Sequence, residues 1–268
     1  MKILFLGDIV GDTGFQSVKN NLPNIISEKK IDFVCVNGEN AASQGVGLTE
    51  NIANELYNSG VDVITTGNHI WDQKEIFDFI KTETKLLRPL NMIGDMPGQG
   101  FFIYNSKKNL KVGVLNLMGN VFMKKCDDVF KVAIDFIEKQ KSNKDFDFLV
   151  VDFHGEITSE KMAMGKLFDG YATLVAGTHT HVPTNDARLL KKGTSYITDA
   201  GMCGDYDSVI GMDANNSINK FLKKNSIKHF PAAGEASLSG VIVQCDTDTG
   251  LAKNIESFIF RGCLKNTI

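Results

Sequence analysis

The feature that most constrains this chain is a repeated unit. A short apolar run ends abruptly in a polar cluster, and an amphipathic stretch leads to the next run. "KILFLGD" (2–8) ends at Asp8, "DFVCVNGEN" (32–40) at Glu39 and Asn40, and "VDVITTGNH" (61–69) at Asn68 and His69. "FDFLVVDFHGE" (146–156) carries His154 near its end, and "YATLVAGTHTH" (171–181) closes on His179 and His181. Short apolar runs rich in Val, Ile and Phe read as buried strands. Between them, apolar residues recur at helical spacing: Phe15, Val18, Leu22 and Ile25; Ile52 and Leu56; Ile76, Phe77 and Ile80; Phe130, Ile134 and Ile137; then a segment centred on Met164. Strands alternating with helices define an α/β fold.

Local signals set expected boundaries. Pro23 should kink or divide the first helix. Thr49 is a candidate N-cap and Gly60 a helix end. Asp72 is read as the N-cap of the helix carrying Ile76. "LKVGVLNL" (110–117) and "TSYITDAG" (194–201) are further strands, and 238–262 reads as a hairpin around Asp248-Thr249-Gly250. That hairpin makes the sheet mixed or adds a second one. Residues 183–235 have the weakest periodicity and are expected to form an irregular excursion near a site. With no repeat or low-complexity linker, residues 1–268 are read as a single domain.

Composition removes several functions. A net charge of −3, from 29 basic and 32 acidic residues, gives no electrostatic case for a nucleic-acid polymer or an anionic membrane. Only Arg88, Arg188 and Arg261 are arginines, so bidentate phosphate grips are scarce. Five scattered cysteines with no CxxC pair argue against a zinc ribbon or a disulfide framework and for a reducing compartment. Cys35, Cys245 and Cys263 lie in or near apolar runs and are read as core. Asp8 interrupts the N-terminal apolar run, and no run approaches a membrane span. The expectation is a soluble, cytoplasmic protein.

The strand-end clusters hold four of the five histidines. In open α/β sheets, ligands bind at the carboxyl ends of the strands, where these clusters would converge. Imidazole, carboxylate and amide oxygen are the ligand set of manganese, iron and zinc. Asp8, Glu39, Asn40, Asn68, His154, His179 and His181 are too many for one tetrahedral ion. They suit two ions sharing a carboxylate, which activate a water and clamp a phosphoryl oxygen. His229, in "KHFPAAG", stands apart and is read as an ordinary surface or core residue, with substrate contact as the other reading. Arg88 is a structural or phosphate-contacting residue.

Gly7-Asp8, Gly67-Asn68-His69, His154 and "GTHTH" (177–181) resemble the blocks of the calcineurin-like metallophosphoesterases, in the same order. "GDIVGDTG" (7–14), "NGENAA" (37–42), "TGNHIWD" (66–72), "GTHTHVPT" (177–184) and "GDYDSVIGM" (204–212) are similar to the bacterial YmdB-like phosphodiesterase branch, across nearly the whole chain. The resemblance implies a four-layer α/β/β/α sandwich, two mixed sheets flanked by helices. It implies a binuclear centre that hydrolyses phosphodiesters, with 2′,3′-cyclic nucleotides as leading substrates, through a metal-activated hydroxide. Asp8, Glu39, Asn40 and His181 would serve one metal. Asn68, His154 and His179 would serve the other, with Glu39 bridging. On that view each histidine of the "THTH" pair serves a different metal. His69 matches the catalytic general acid.

Val10 stands where the wider superfamily has a histidine, and Glu39 replaces the usual bridging aspartate. Both fit the narrower branch, and they favour iron or manganese over zinc or magnesium at the oxygen-rich ion. Phe15 stands where the branch commonly has a basic residue. Two other functions use the same residues: a phosphomonoesterase, and a regulatory or RNA-linked factor with little turnover. The expected partner is a small phosphodiester substrate, with no membrane, and the expected assembly is a homo-oligomer.

Overall fold

The computed structural model describes residues 1–143, 145–223 and 229–265. In chain order its elements begin β1 (Lys2–Leu6), β2 (Asp8–Ile9), α1 (Gly11–Lys29), β3 (Phe33–Asn37), α2 (Glu50–Asn58), β4 (Val63–Thr65) and α3 (Ile76–Phe79). There follow β5 (Phe101–Asn105), β6 (Lys111–Met118), α4 (Val129–Asn143), β7 (Phe148–His154), α5 (Thr158–Leu167) and β8 (Leu174–Thr178). The last are β9 (Arg188–Leu189), β10 (Ser195–Ile197), β11 (Met202–Asp205), α6 (Ala214–Phe221), β12 (Ala236–Cys245), β13 (Ala252–Phe260) and α7 (Gly262–Lys265).

One sheet has the order β2-β11-β12-β1-β3-β4, with β13 also paired to β12. Its β1, β3 and β4 are parallel, and β12 runs antiparallel to β1. The other has the order β5-β6-β7-β8-β10-β9, parallel from β6 to β10 with antiparallel edges. Side chains alternate across a strand, and here both faces are apolar. Ile3, Phe5, Phe33 and Cys35 therefore join Val114, Phe148, Val150 and Leu174 in a core between the sheets. Leu4, Leu6, Val34 and Val36 face the other way, onto Val18, Leu22 and Leu56 of α1 and α2. Leu149, Val151 and Phe153 do the same for Ala133 of α4 and Met164 of α5. Three cores separate four layers, so the fold is the expected α/β sandwich of two mixed sheets flanked by helices.

Several local expectations fail for physical reasons. Pro23 does not divide α1, which runs from Gly11 to Lys29. Pro23 is on the exposed face, where water can satisfy the freed carbonyl, while Phe15, Val18, Leu22 and Ile25 are buried. That burial outweighs the proline penalty of roughly 3 kcal/mol. The helix expected to start at Asp72 is a four-residue turn beginning after Glu75. Cys263 is exposed rather than core, whereas Cys35, Cys203 and Cys245 are buried. Residues 183–235 contribute β9, β10, β11 and α6, so this stretch supplies strands to both sheets. Thr49 caps α2 as expected, accepting from the Ile52 amide at 3.3 Å, and the 238–262 hairpin forms.

Candidate metal centre

The polar strand ends meet across the seam between the sheets. Asp8, Glu39, Asn40 and Asn68 come from the ends of strands in the first sheet, and His154, His179 and His181 from the second. His154 Nε2 is the hub: it lies 3.0 Å from Glu39 Oε1, 3.2 Å from Asn68 Oδ1 and 3.1 Å from His179 Nδ1. His181 Nε2 sits to one side, 3.3 Å from Asn40 Nδ2 and 3.8 Å from Asp8 Oδ1. All seven sequence candidates are therefore brought together. His179 lies with His154 and Asn68, and His181 with Asp8 and Asn40.

The divergence of the two histidines has a backbone cause. In extended chain, residues two apart point the same way. Here His179 has φ 98° and His181 φ 65°, both in the left-handed region that non-glycine residues rarely adopt. Buried bonds hold that turn. Asp8 Oδ2 accepts the His179 amide at 3.0 Å. Asp199 Oδ2 accepts from Thr180 N at 3.2 Å and Thr180 Oγ1 at 2.7 Å. Lys161, reaching in from α5, donates to Asp199 Oδ2 at 2.6 Å and to the Thr178 carbonyl at 2.8 Å. Gly67 is needed on the opposite side, because a Cβ there would stand 2.2 Å from His154 Cδ2 and 2.5 Å from Glu39 Oε2.

Outer partners fix each imidazole. Thr178 Oγ1 donates to Asp152 Oδ1 at 2.7 Å and so accepts from His154 Nδ1 at 2.9 Å, which leaves Nε2 facing the cluster. His181 Nδ1 donates to the Ile210 carbonyl at 2.7 Å, again freeing Nε2. Glu156 Oε2 lies 3.3 Å from His179 Nε2, leaving Nδ1 inward. Such partners orient metal-binding histidines generally.

His69 is half-buried beside the cluster. Its amide donates to Glu39 Oε2 at 3.1 Å, and its Nδ1 is 2.6 Å from Asp72 Oδ2. Lys124 stands behind, donating to the Asn68 carbonyl at 2.6 Å and lying 3.6 Å from Asp72 Oδ1. Asp72 thus serves His69 rather than a helix N-terminus. The Arg88 guanidinium donates to the backbone carbonyls of Pro89, Met96 and Pro97, a structural arrangement. Tyr206 does the same for β11, its hydroxyl bonding both the amide and the carbonyl of Met202.

Charge in the cluster is strongly coupled. Burial alone would raise the Glu39 carboxyl, but His154 and then His69 outweigh it and hold Glu39 down at about 2. Burial opposes a His154 cation, yet Glu39, then Asp8 and Asp152, raise its pKa to about 9. Burial, with His154 next, drives His179 down to about 3. Burial raises Asp8, with His181 and His154 pulling the other way.

Sequence reasoning missed Asp152, Lys161 and Asp199. Asp152 had a signal, since it lies two residues before His154 on the same face of β7. Lys161, in the first turn of a helix, had none. Lys161→Met should lower unfolding free energy by about 3–5 kcal/mol, because Asp199 is left as a buried, uncompensated charge. Urea unfolding of the metal-free protein measures this, and a loss below about 1 kcal/mol would show that the pair contributes little.

A family model described as YmdB-like protein matches residues 4–258. The chain belongs to the YmdB-like family. A relative from Bacillus subtilis (strain 168), named 2′,3′-cyclic-nucleotide 2′-phosphodiesterase, is 44% identical over 259 residues, covering 97% of each chain. A Thermus thermophilus crystal structure, titled as a hypothetical protein, superposes with TM-score 0.89 at 36% identity, covering 97% of this chain and 99% of that one. A Mycoplasma pneumoniae structure titled a novel phosphatase gives TM-score 0.89 at 38% identity, covering 97% and 93%.

Membership in a metallophosphoesterase family implies divalent metal ions. The residues present fit them. Asp8 Oδ1 and Asn40 Oδ1 are buried with no hydrogen-bond partner among the described residues, a costly state for an acceptor that a cation relieves. Glu39, His154 and His179 each turn one donor atom to a common point, all within 4.8 Å of one another. Imidazole, carboxylate and amide oxygen with no thiolate suit borderline to hard divalent ions.

Proposed function

We propose that the chain hydrolyses small phosphodiesters, foremost 2′,3′-cyclic nucleotides, at a centre of two metal ions. The observation that carries this is the convergence of seven ligand-type residues at the seam, two of them with buried acceptors that lack a donor among the described residues. The name of the Bacillus subtilis relative, at 44% identity over nearly the full length of both chains, supports the same reaction.

In this reading Glu39, Asn68, His154 and His179 would hold one ion and Asp8, Asn40 and His181 the other, with Glu39 available to both. The oxygen-rich second set favours iron or manganese. Bound ions would supply charge neutralisation at the phosphoryl oxygens and a nucleophile at neutral pH. The chain's own residues do the rest. His69 protonates the departing ribose oxygen from Nε2, its Nδ1 held by Asp72. Asp152 and Thr178 keep His154 in one tautomer, and the Ile210 carbonyl does so for His181.

Metal analysis of the purified protein, followed by assay of 2′,3′-cyclic AMP, 3′,5′-cyclic AMP and 3′-AMP, tests the proposal. Two ions per chain and preference for the 2′,3′-diester are expected. Faster turnover of the monoester would replace the reading with a phosphomonoesterase. Binding should also depend on pH with a definite sign. The metal-free His154 keeps its proton up to about pH 9, and that proton must leave before Nε2 can accept a cation. Affinity should therefore rise with pH below about 9, by up to about tenfold per unit for each proton released. Calorimetric titration with manganese at pH 6.5 and 8.5, in buffers of different ionisation enthalpy, reads both affinity and proton release. Equal affinities with no protons released would contradict it.

A further inference from the structure

The cluster opens into a cavity of about 390 Å³, within the range of ~300–1,000 Å³ typical of small-ligand sites. Its lining joins the polar Glu39, His69, His179 and His181 to the apolar Val46, Ile210 and Met212, and His229 also lines it. Phosphodiester hydrolysis explains the polar group, and nothing in that reaction itself calls for the apolar one.

Ile210 is the telling residue. It is β-branched yet has φ 50°, a conformation rarely adopted by such residues, and it leaves 54% of its surface exposed. Strain of this sort, on the order of 1–3 kcal/mol, persists only where surrounding bonds impose it. They do so here. Val209 and Met212 exchange backbone hydrogen bonds at 3.0 Å in both directions, and the Gly211 carbonyl accepts the Ala232 amide at 2.9 Å. The Ile210 carbonyl is the group that orients His181. Ile210 and Met212 thus sit on the hydrogen-bonded turn whose carbonyl orients His181. His229 adds a polar point, because its Nε2 is buried and has no hydrogen-bond partner among the described residues.

We propose that Val46, Ile210 and Met212 form a nucleobase subsite, with His229 Nε2 bonding the base edge. A base offers a flat apolar face and a polar rim, which matches a lining of three apolar side chains together with one ring nitrogen left without a partner among the described residues. The turn that carries Ile210 and Met212 also orients His181, so a base seated there holds its ribose phosphate at a fixed distance from the cluster. The inference rests on the phosphodiesterase reading above and assigns the part of the site that selects nucleotides over other cyclic diesters.

The test compares two substrates on the metal-loaded enzyme: adenosine 2′,3′-cyclic phosphate, and methyl riboside 2,3-cyclic phosphate, in which a methoxy group replaces the base. The nucleotide should win in kcat/KM by roughly 10–100-fold, the range expected of base-stacking contacts. Met212→Ser and, from a separate loop, Val46→Ser should each narrow that ratio severalfold, chiefly through KM. His229→Ala should flatten the preference among the four nucleotide bases. Thermal unfolding and metal content matching the parent protein establish that a variant is folded. Equal kcat/KM for both substrates, or a ratio unmoved in Met212→Ser and Val46→Ser, overturns the subsite and leaves the phosphodiesterase reading intact. No turnover of either diester overturns that reading, and the subsite with it.

Discussion

Glu39→Gln is expected to lower turnover of 2′,3′-cyclic AMP by more than about 100-fold and to lose bound metal. Glutamine keeps the shape of the side chain, so the loss isolates the charge. Glu39 is fully buried, with Oε1 3.0 Å from His154 Nε2 and Oε2 accepting the His69 amide. It touches His154 directly and, through Asn40, the side holding His181. Groups that merely orient a metal ligand are worth about 10–100-fold in affinity or activity, so a shared ligand should exceed that range. Elemental analysis and kcat, measured on the same preparation, check it. Full metal occupancy with ordinary turnover would remove Glu39 from the bridging position.

His69→Ala should separate chemistry from metal binding. The alanine retains the backbone amide that donates to Glu39 Oε2 and deletes only the imidazole beside Asp72. Metal content should stay at the parent level while kcat falls by about 10²–10⁴, the usual contribution of a general acid. The loss should shrink for a diester that releases p-nitrophenolate, because that leaving group departs without a proton. An equal loss on both substrates would mean that His69 acts on binding or geometry instead. Asp72→Asn should show the same dependence on leaving group in a weaker form, since it leaves the imidazole present but less firmly aimed.

The parts of this structure written locally in the sequence were readable there. The unbroken apolar runs "ILFL" and "FVCV" are enough to give strands buried on both faces, and with them the layered fold. The ligand cluster was readable because each of its members lies at or just past the end of an apolar run, and parallel strands deliver their ends to one edge. What escaped depends on pairs distant in sequence. Lys161 and Asp199 are 38 residues apart, and neither carries a local mark of burial. Asp72 was ambiguous for a different reason. A carboxylate three residues after a histidine, at the head of an apolar pattern, satisfies an N-cap rule as well as an i,i+3 contact, and only the tertiary position of His69 decides between them. The left-handed turns at His179 and His181 were equally hidden, because their cause lies in Asp8, Asp199 and Lys161 rather than in "GTHTH" itself.

The placement of the cluster on the seam gives assembly and activity a common checkpoint. Either sheet alone carries an incomplete set: carboxylates and amides on one, imidazoles on the other. An ion held by both would act as a rivet between the layers, adding about 2.7 kcal/mol to the joined state when free ion stands at 100 times its dissociation constant. A chain whose halves have not yet docked cannot assemble the centre, so hydrolysis is withheld until folding is complete. Depriving the protein of its ion would loosen the joint at the same moment as it silences the chemistry.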